Sequence, residues 1–134
     1  MSATVLYIED NADNLLLVRR ALEARGYRVL EAEDGISGLA VIAQEHPDVV
    51  LLDINLPDVD GYEVVRRLRS NPASRALPVV AITAKALPGD AERALAAGCD
   101  LYMSKPIAVR ALWTTLERLL STQPQTQSER LVSD

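Results

Sequence analysis

The chain has 134 residues, 49% of them hydrophobic and 25% charged, which suits one globular domain with a single core and excludes a disordered chain. There are 14 Lys and Arg against 19 Asp and Glu, a net charge of −5, so a nonspecific nucleic-acid surface is not expected. A lone cysteine, Cys99, rules out an intrachain disulfide and reads as a small buried hydrophobe in a reduced, cytosolic setting; the N-terminus has no signal-type stretch, and no apolar run approaches the ~20 residues of a membrane span.

Val5 to Ile8 is a short apolar strand that ends in Glu9-Asp10. Asn11 to Asp13 can cap a helix, which Leu15, Val18 and Leu22 continue at helical spacing and Gly26 closes. Arg28 to Glu33 reads as a strand of mixed polarity, and Asp34-Gly35 as a turn. Leu39, Ile42 and Ala43 mark a second helix, stopped before Pro47. Asp48-Val49-Val50-Leu51-Leu52-Asp53 is an apolar run closed by an aspartate at each end, the pattern of a strand buried on both faces of a parallel sheet. Asn55, Pro57, Asp58, Asp60 and Gly61 make a loop. Tyr62, Val65 and Leu68 place a third helix, with Arg66, Arg67 and Arg69 expected largely on its wet side. After a polar loop at Asn71 to Ala76, Pro78 to Ile82 is another apolar strand, ending at Thr83. Pro88-Gly89-Asp90 opens an alanine-rich helix that ends at Gly98. Leu101 to Met103 is a last strand before Ser104-Lys105-Pro106, and Leu112, Leu116 and Leu119 mark a final helix. The domain is expected to span 1–121, with a polar tail over 122–134.

Strand and helix alternate about five times, which predicts an α/β fold: a doubly wound, five-stranded parallel sheet with helices on both faces. The three most apolar strands, starting at Val5, Val49 and Val79, belong in the centre, and the mixed ones at the edges. That predicts strand order 2-1-3-4-5, the order of flavodoxin-like and CheY-like folds, whose ligand crevice lies at the C-terminal ends of strands 1 and 3.

Those ends carry Glu9, Asp10 and Asp53. Two unit charges ~4 Å apart repel by roughly 4 kcal/mol at an effective dielectric of ~20, so the acids need a cation or must hold protons. Hard oxygen donors, with no His or second Cys nearby, point to Mg²⁺ (or Mn²⁺) rather than zinc. Strand 4 brings Thr83 to the same crevice, and strand 5 brings Lys105. Taken singly, Glu9-Asp10 is an ordinary helix-capping pair, Thr83 a strand-end residue and Lys105 a solvated lysine, while Asn55 carries no signal. Their arrival from four different strand ends is what marks a site, and acids, a divalent metal, a hydroxyl and an ammonium together suit a phosphoryl group.

Ile8-Glu9-Asp10-Asn11, Leu51-Leu52-Asp53-Ile54-Asn55-Leu56-Pro57 with Gly61, Ile82-Thr83-Ala84 and Tyr102-Met103-Ser104-Lys105-Pro106 resemble the response-regulator receiver domains of two-component signalling, from about Thr4 to Leu120. The run Thr83 to Asp90, with Gly98-Cys99 after it, further resembles the DivK-type single-domain receivers. The resemblance implies that Asp53 accepts a phosphoryl group from a histidine kinase or histidine phosphotransfer protein. It implies that Asp10 binds Mg²⁺ directly, Glu9 through water, and Asn55 through its backbone carbonyl. Lys105 would pair first with Asp53 and then with the phosphoryl oxygens. Thr83 would bond the phosphoryl group, its movement letting Tyr102 swing inward. Such a chain is a signalling receiver that catalyses only its own phosphorylation and dephosphorylation.

Two rivals fit less well. A phosphatase of the haloacid-dehalogenase type wants a second Asp where Asn55 stands, and a flavodoxin-like carrier would meet Glu9-Asp10 where a flavin phosphate must sit. A nucleotide-binding Rossmann unit also fails, because no GxGxxG follows strand 1. If the chain is the whole product, the about fourteen residues after the last helix leave output to docking on a downstream protein, without direct DNA binding; a receiver excised from a larger regulator or hybrid kinase is the alternative. Val109, Trp113, Leu116 and Leu120 form a stripe rotated by about 100° from the Leu112, Leu116, Leu119 stripe. Tyr102, Val109 and Trp113 are therefore expected on the face of helix 4, strand 5 and helix 5, which the family uses for partners and for homodimers.

Overall fold

The computed structural model describes residues 3–84 and 87–121. Lys85 and Ala86, and the tail expected over 122–134, lie outside the described residues. In chain order the elements are β1 (Thr4–Ile8), α1 (Ala12–Glu23), β2 (Arg28–Ala32), α2 (Gly35–Glu45), β3 (Val49–Asp53), α3 (Gly61–Ser70), β4 (Val79–Thr83), α4 (Asp90–Ala97), β5 (Leu101–Ser104) and α5 (Val109–Ser121). All neighbouring strands run parallel in the order β2-β1-β3-β4-β5, as the polarity of the five runs predicts. β3 and β4 are buried along their whole length, whereas β2 mixes exposed and buried residues and β5 is only half-buried. A parallel strand with helices on both faces must be apolar throughout, and an edge strand is freed from that demand.

The sheet divides the core into two layers. Leu6, Val50, Leu52 and Ala81 pack under Ile42 of α2, Val65 and Leu68 of α3 and Ala94 of α4. Val5, Tyr7, Leu51 and Ile82 pack under Val18 and Leu22 of α1 and Leu112 and Leu116 of α5. Complete burial of a Leu or Val side chain contributes roughly 1.5–3 kcal/mol, so these layers are the main source of cohesion.

Loop chemistry sets how the helices meet the sheet. Asp34, expected in a turn, caps α2 instead, its Oδ1 accepting the Ser37 N–H at 2.7 Å, and Gly35 is the first helical residue. Asp58 reaches across from the β3–α3 loop and accepts the Gly35 and Ile36 N–H groups at 2.8 and 2.9 Å. Two aspartates thus satisfy the first three free donors of α2, one acceptor each, and the loop is tied down by the Asp58 bonds. At Gly61 a Cβ would stand 2.7 Å from Ile54 Cα, a backbone atom that cannot yield, so only glycine lets α3 begin this close to the end of β3. Asp48 accepts the Thr4 N–H at 2.7 Å and anchors the start of β1.

Arg69 departs from expectation. Its guanidinium is turned inward, donating to Gly98 O at 2.9 and 2.8 Å, to Leu77 O at 2.6 Å and to Arg75 O at 3.1 Å, and pairing with Asp100 at 3.0 Å. One planar fork thus closes carbonyls left open at the end of α4 and before β4.

Candidate functional site

The parallel register brings the strand ends to one level. Ile8 lies opposite Leu52, Asp53 opposite Ile82, and Thr83 opposite Ser104. Glu9, Asp53, Thr83 and Lys105 each stand at or one residue beyond such a pair, so the side chains expected in one crevice emerge together. Glu9, Asp10 and Asp53 offer ligand oxygens that all lie within 4.8 Å of one another. Three carboxylates with no nitrogen or sulfur donor among them form a hard-oxygen set, the chemistry that fits Mg²⁺ or Mn²⁺. Asp10 is exposed, while Glu9 and Asp53 are 1% and 3% exposed.

Asp53 is held on both oxygens. Oδ1 accepts the Asn55 N–H at 2.9 Å, and Oδ2 faces Lys105 Nζ at 3.3 Å. Glu9 is held by more groups. Its Oε1 accepts Tyr7 Oη at 2.9 Å and Asn14 Nδ2 at 3.3 Å and pairs with Lys105 Nζ at 2.6 Å, while Oε2 accepts the Asn11 N–H at 3.2 Å. Lys105 therefore bridges the two acids and lies nearer Glu9 than Asp53, the partner expected for it. It is joined to Pro106 by a cis peptide bond.

The two buried acids respond differently to this setting. Burial pushes the Asp53 carboxyl up to about 6, with repulsion from Glu9 adding to it and the Asn55 N–H opposing it. Burial would raise Glu9 as well, but hydrogen bonds from Lys105 and Tyr7 outweigh it and hold Glu9 down to about 2. Glu9 is thus the charged partner of Lys105, and Asp53 the acid that keeps a proton longer. Burial works against the Lys105 ammonium, yet the bond to Glu9 and the charge of Asp53 leave it above the ordinary lysine range.

Thr83 ends β4 with its side chain buried at 4% exposure. Tyr102 leans into the core layer beneath α3 and α4, and its hydroxyl is buried without a hydrogen-bond partner among the described residues. Asn55 is exposed on the loop beyond Asp53, and Val109 opens α5, half-buried.

Trp113, expected on the face of α4, β5 and α5, is half-buried and engages α1. Its indole N–H donates to Ala21 O of α1 at 2.8 Å, and the Arg25 guanidinium lies 4.0 Å from the ring centroid. It packs with the layer under α1 and α5, on the opposite face of the sheet from Tyr102. This flank of the α5 apolar stripe thus meets α1. Tyr7 and Asn14 are the site residues that sequence reasoning missed. A signal for Tyr7 was available: a tyrosine in an otherwise aliphatic buried strand needs an acceptor for its hydroxyl, and Glu9, two residues on, shares its face.

A family model described as the response regulator receiver domain matches residues 5–117. The chain belongs to the response regulator receiver family. As a receiver of two-component signalling, it is 40% identical over 120 residues to the polar-differentiation response regulator DivK of Brucella ovis, covering 90% of this chain and 98% of that one. The chemotaxis response regulator CheY4 of Vibrio cholerae superposes with a TM-score of 0.84 at 29% identity, over 90% of this chain and 100% of that one. The receiver domain of a Pseudomonas aeruginosa sensor histidine kinase, with a magnesium ion coordinated in its active site cleft, superposes with a TM-score of 0.84 at 34% identity, over 91% of this receiver and 100% of that chain. No described helix is long and apolar enough to cross a membrane.

Proposed function

We propose that this receiver takes a phosphoryl group on Asp53 from a phosphohistidine of a histidine kinase or phosphotransfer protein, and that the modification switches a protein-docking face. The observation that carries the reading is the setting of Asp53: a buried carboxylate held by the Asn55 N–H, 3.3 Å from Lys105 Nζ, with Glu9 and Asp10 within 4.8 Å. A carboxylate oxygen forms the new P–O bond as the P–N bond to histidine breaks and the imidazole keeps the electron pair. Mg²⁺ (or Mn²⁺), when bound, offsets the negative charge of the incoming group. Asp10 would hold it directly, Glu9 through water and Asn55 by its carbonyl. Lys105 lies within reach of the incoming phosphoryl oxygens once drawn from Glu9, and Thr83 supplies a hydroxyl at the adjoining strand end.

The domain spans 1–121 in this reading, with 122–134 as a tail, and it works in the cytoplasm as a signalling switch that catalyses only its own phosphorylation and dephosphorylation. Movement of Thr83 toward the phosphoryl group would shift Tyr102 and favour one of two arrangements of the face made by α4, β5 and α5, with Val109 at its margin. That face would meet a downstream protein or a second copy of the chain, without direct DNA binding. Leu87 and Leu95, exposed at 61% and 54%, support an apolar contact there. Incubation with acetyl phosphate and Mg²⁺ should add one phosphoryl mass, and Asp53→Asn should abolish it. A label that persists at the wild-type level in that variant would sink the assignment.

A further inference from the structure

Tyr7 is 1% exposed and sits among aliphatic side chains of the layer under α1 and α5, including Leu15, Val18 and Leu112. Its ring could be replaced there by any apolar group of that size. The hydroxyl is different: it is directed at Glu9 Oε1 at 2.9 Å. Asn14, in the first turn of α1, reaches the same oxygen at 3.3 Å, and the Asn11 N–H takes Oε2 at 3.2 Å. With Lys105 at 2.6 Å, three donors converge on Oε1, whereas Oε2 takes the one backbone N–H. A carboxylate oxygen offers about two lone pairs, so Oε1 is saturated and the capacity left for a cation lies on Oε2.

We propose that Tyr7 and Asn14 are positioning residues that grip Glu9 by Oε1, so that Oε2 stays presented to the cation when Lys105 leaves. The inference rests on the reading of Glu9, Asp10 and Asp53 as a Mg²⁺ site. It assigns to this receiver a hydrogen-bond brace behind the metal, the kind of outer support whose removal weakens metal binding by about 10–100-fold. Neither residue touches the cation or the phosphoryl group. The isolated bond of Tyr7 carries the larger share, since the Asn14 bond is longer and closer to solvent.

Titration with Mg²⁺ alone, followed by calorimetry on the whole chain, tests it. Tyr7→Phe keeps the ring and the core packing and should weaken Mg²⁺ binding about tenfold, and Asn14→Ala should weaken it by less. In a Glu9→Asp background, where the carboxylate is one methylene too short to meet the Tyr7 hydroxyl, Tyr7→Phe should cause no further loss. A purely structural role would lower the melting temperature of the variant equally in EDTA and in Mg²⁺; the brace predicts that the Mg²⁺-dependent rise is what shrinks. Wild-type affinity in Tyr7→Phe, or the same loss in both backgrounds, overturns the brace and leaves the metal site standing. Failure of the wild-type chain to bind Mg²⁺ overturns the site itself and the brace with it.

Discussion

Lys105 Nζ stands 2.6 Å from Glu9 Oε1 and 3.3 Å from Asp53 Oδ2, so the ammonium that should serve the phosphoryl group rests on the other acid. It occupies charge that a cation would otherwise meet. Lys105→Met should therefore do two things. It should cost the metal-free protein about 3 kcal/mol, the low end for breaking a buried pair, because Glu9 and Asp53 would then face each other uncompensated. It should also enlarge the stabilisation by Mg²⁺, since the competitor is gone. Urea melts in EDTA and in Mg²⁺ measure both effects, and a smaller Mg²⁺ effect in the variant would mean that Lys105 assists the cation.

Proton binding gives a second test. Asp53 titrates at about 6 in the fold against an ordinary 3.8, so between those values the folded chain holds more protons than the unfolded one. Stability must fall as pH rises through that window. Glu9 has the opposite sign: held down to about 2 against 4.5, it adds stability that is present above the higher value and lost as pH falls toward the lower. In EDTA the urea midpoint should peak at roughly pH 4, where the two windows overlap and the opposing slopes cancel. Asp53→Asn should erase the decline toward neutral pH and keep the acid limb. A wild-type midpoint that does not decline between about pH 4 and 6 would mean that Asp53 is not raised.

Mg²⁺ at a hundred times its dissociation constant should stabilise the fold by about 2.7 kcal/mol, a rise in melting temperature on the order of 10 °C for a chain of this size. Asp10→Ala should lose most of that rise. Because Asp10 is exposed, its removal relieves repulsion and leaves no buried group unpaired, so the metal-free variant should melt no lower than wild type. Full retention of the Mg²⁺ effect in this variant would place the cation elsewhere.

Trp113 ties α5 to α1 through Ala21 O and the Arg25 guanidinium. Trp113→Phe removes the N–H donor and weakens the cation–π contact, and should cost about 1–2 kcal/mol in denaturant melts. Modification of Asp53 by acetyl phosphate should continue at the wild-type rate. A large loss of phosphorylation without loss of stability would give Trp113 a role that its contacts do not suggest.

Arg69→Lys keeps the charge and loses the fork that serves Gly98 O, Leu77 O and Asp100 together. It should destabilise the protein by about 2 kcal/mol, which a variant on the wet face of α3 such as Arg66→Lys should not. Equal midpoints for the two variants would show that the fork contributes no more than an exposed charge.

Strand number and order were legible in the sequence because parallel strands buried on both faces must be apolar throughout, as Val49 to Leu52 and Val79 to Ile82 are, while edge strands need not be. The carboxylate cluster was legible for a related reason. Glu9, Asp53, Thr83 and Lys105 close or follow their strands, and a parallel register brings such positions to one level whatever the loops do. Direction around a helix was not legible in the same way. The apolar stripe of α5 is wide enough to put Trp113 on either flank, and only the rotation of α5 against α1 decided for Ala21 and Arg25. Arg69 reads as a surface charge until the fold brings Leu77 and Gly98 to it, from 8 and 29 residues away. Whether Lys105 rests on Glu9 or Asp53 turns on a difference between 2.6 and 3.3 Å. Residue types state which groups can pair; which of several competent partners wins is settled by differences in distance of less than an ångström, and those exist only once the layers have packed.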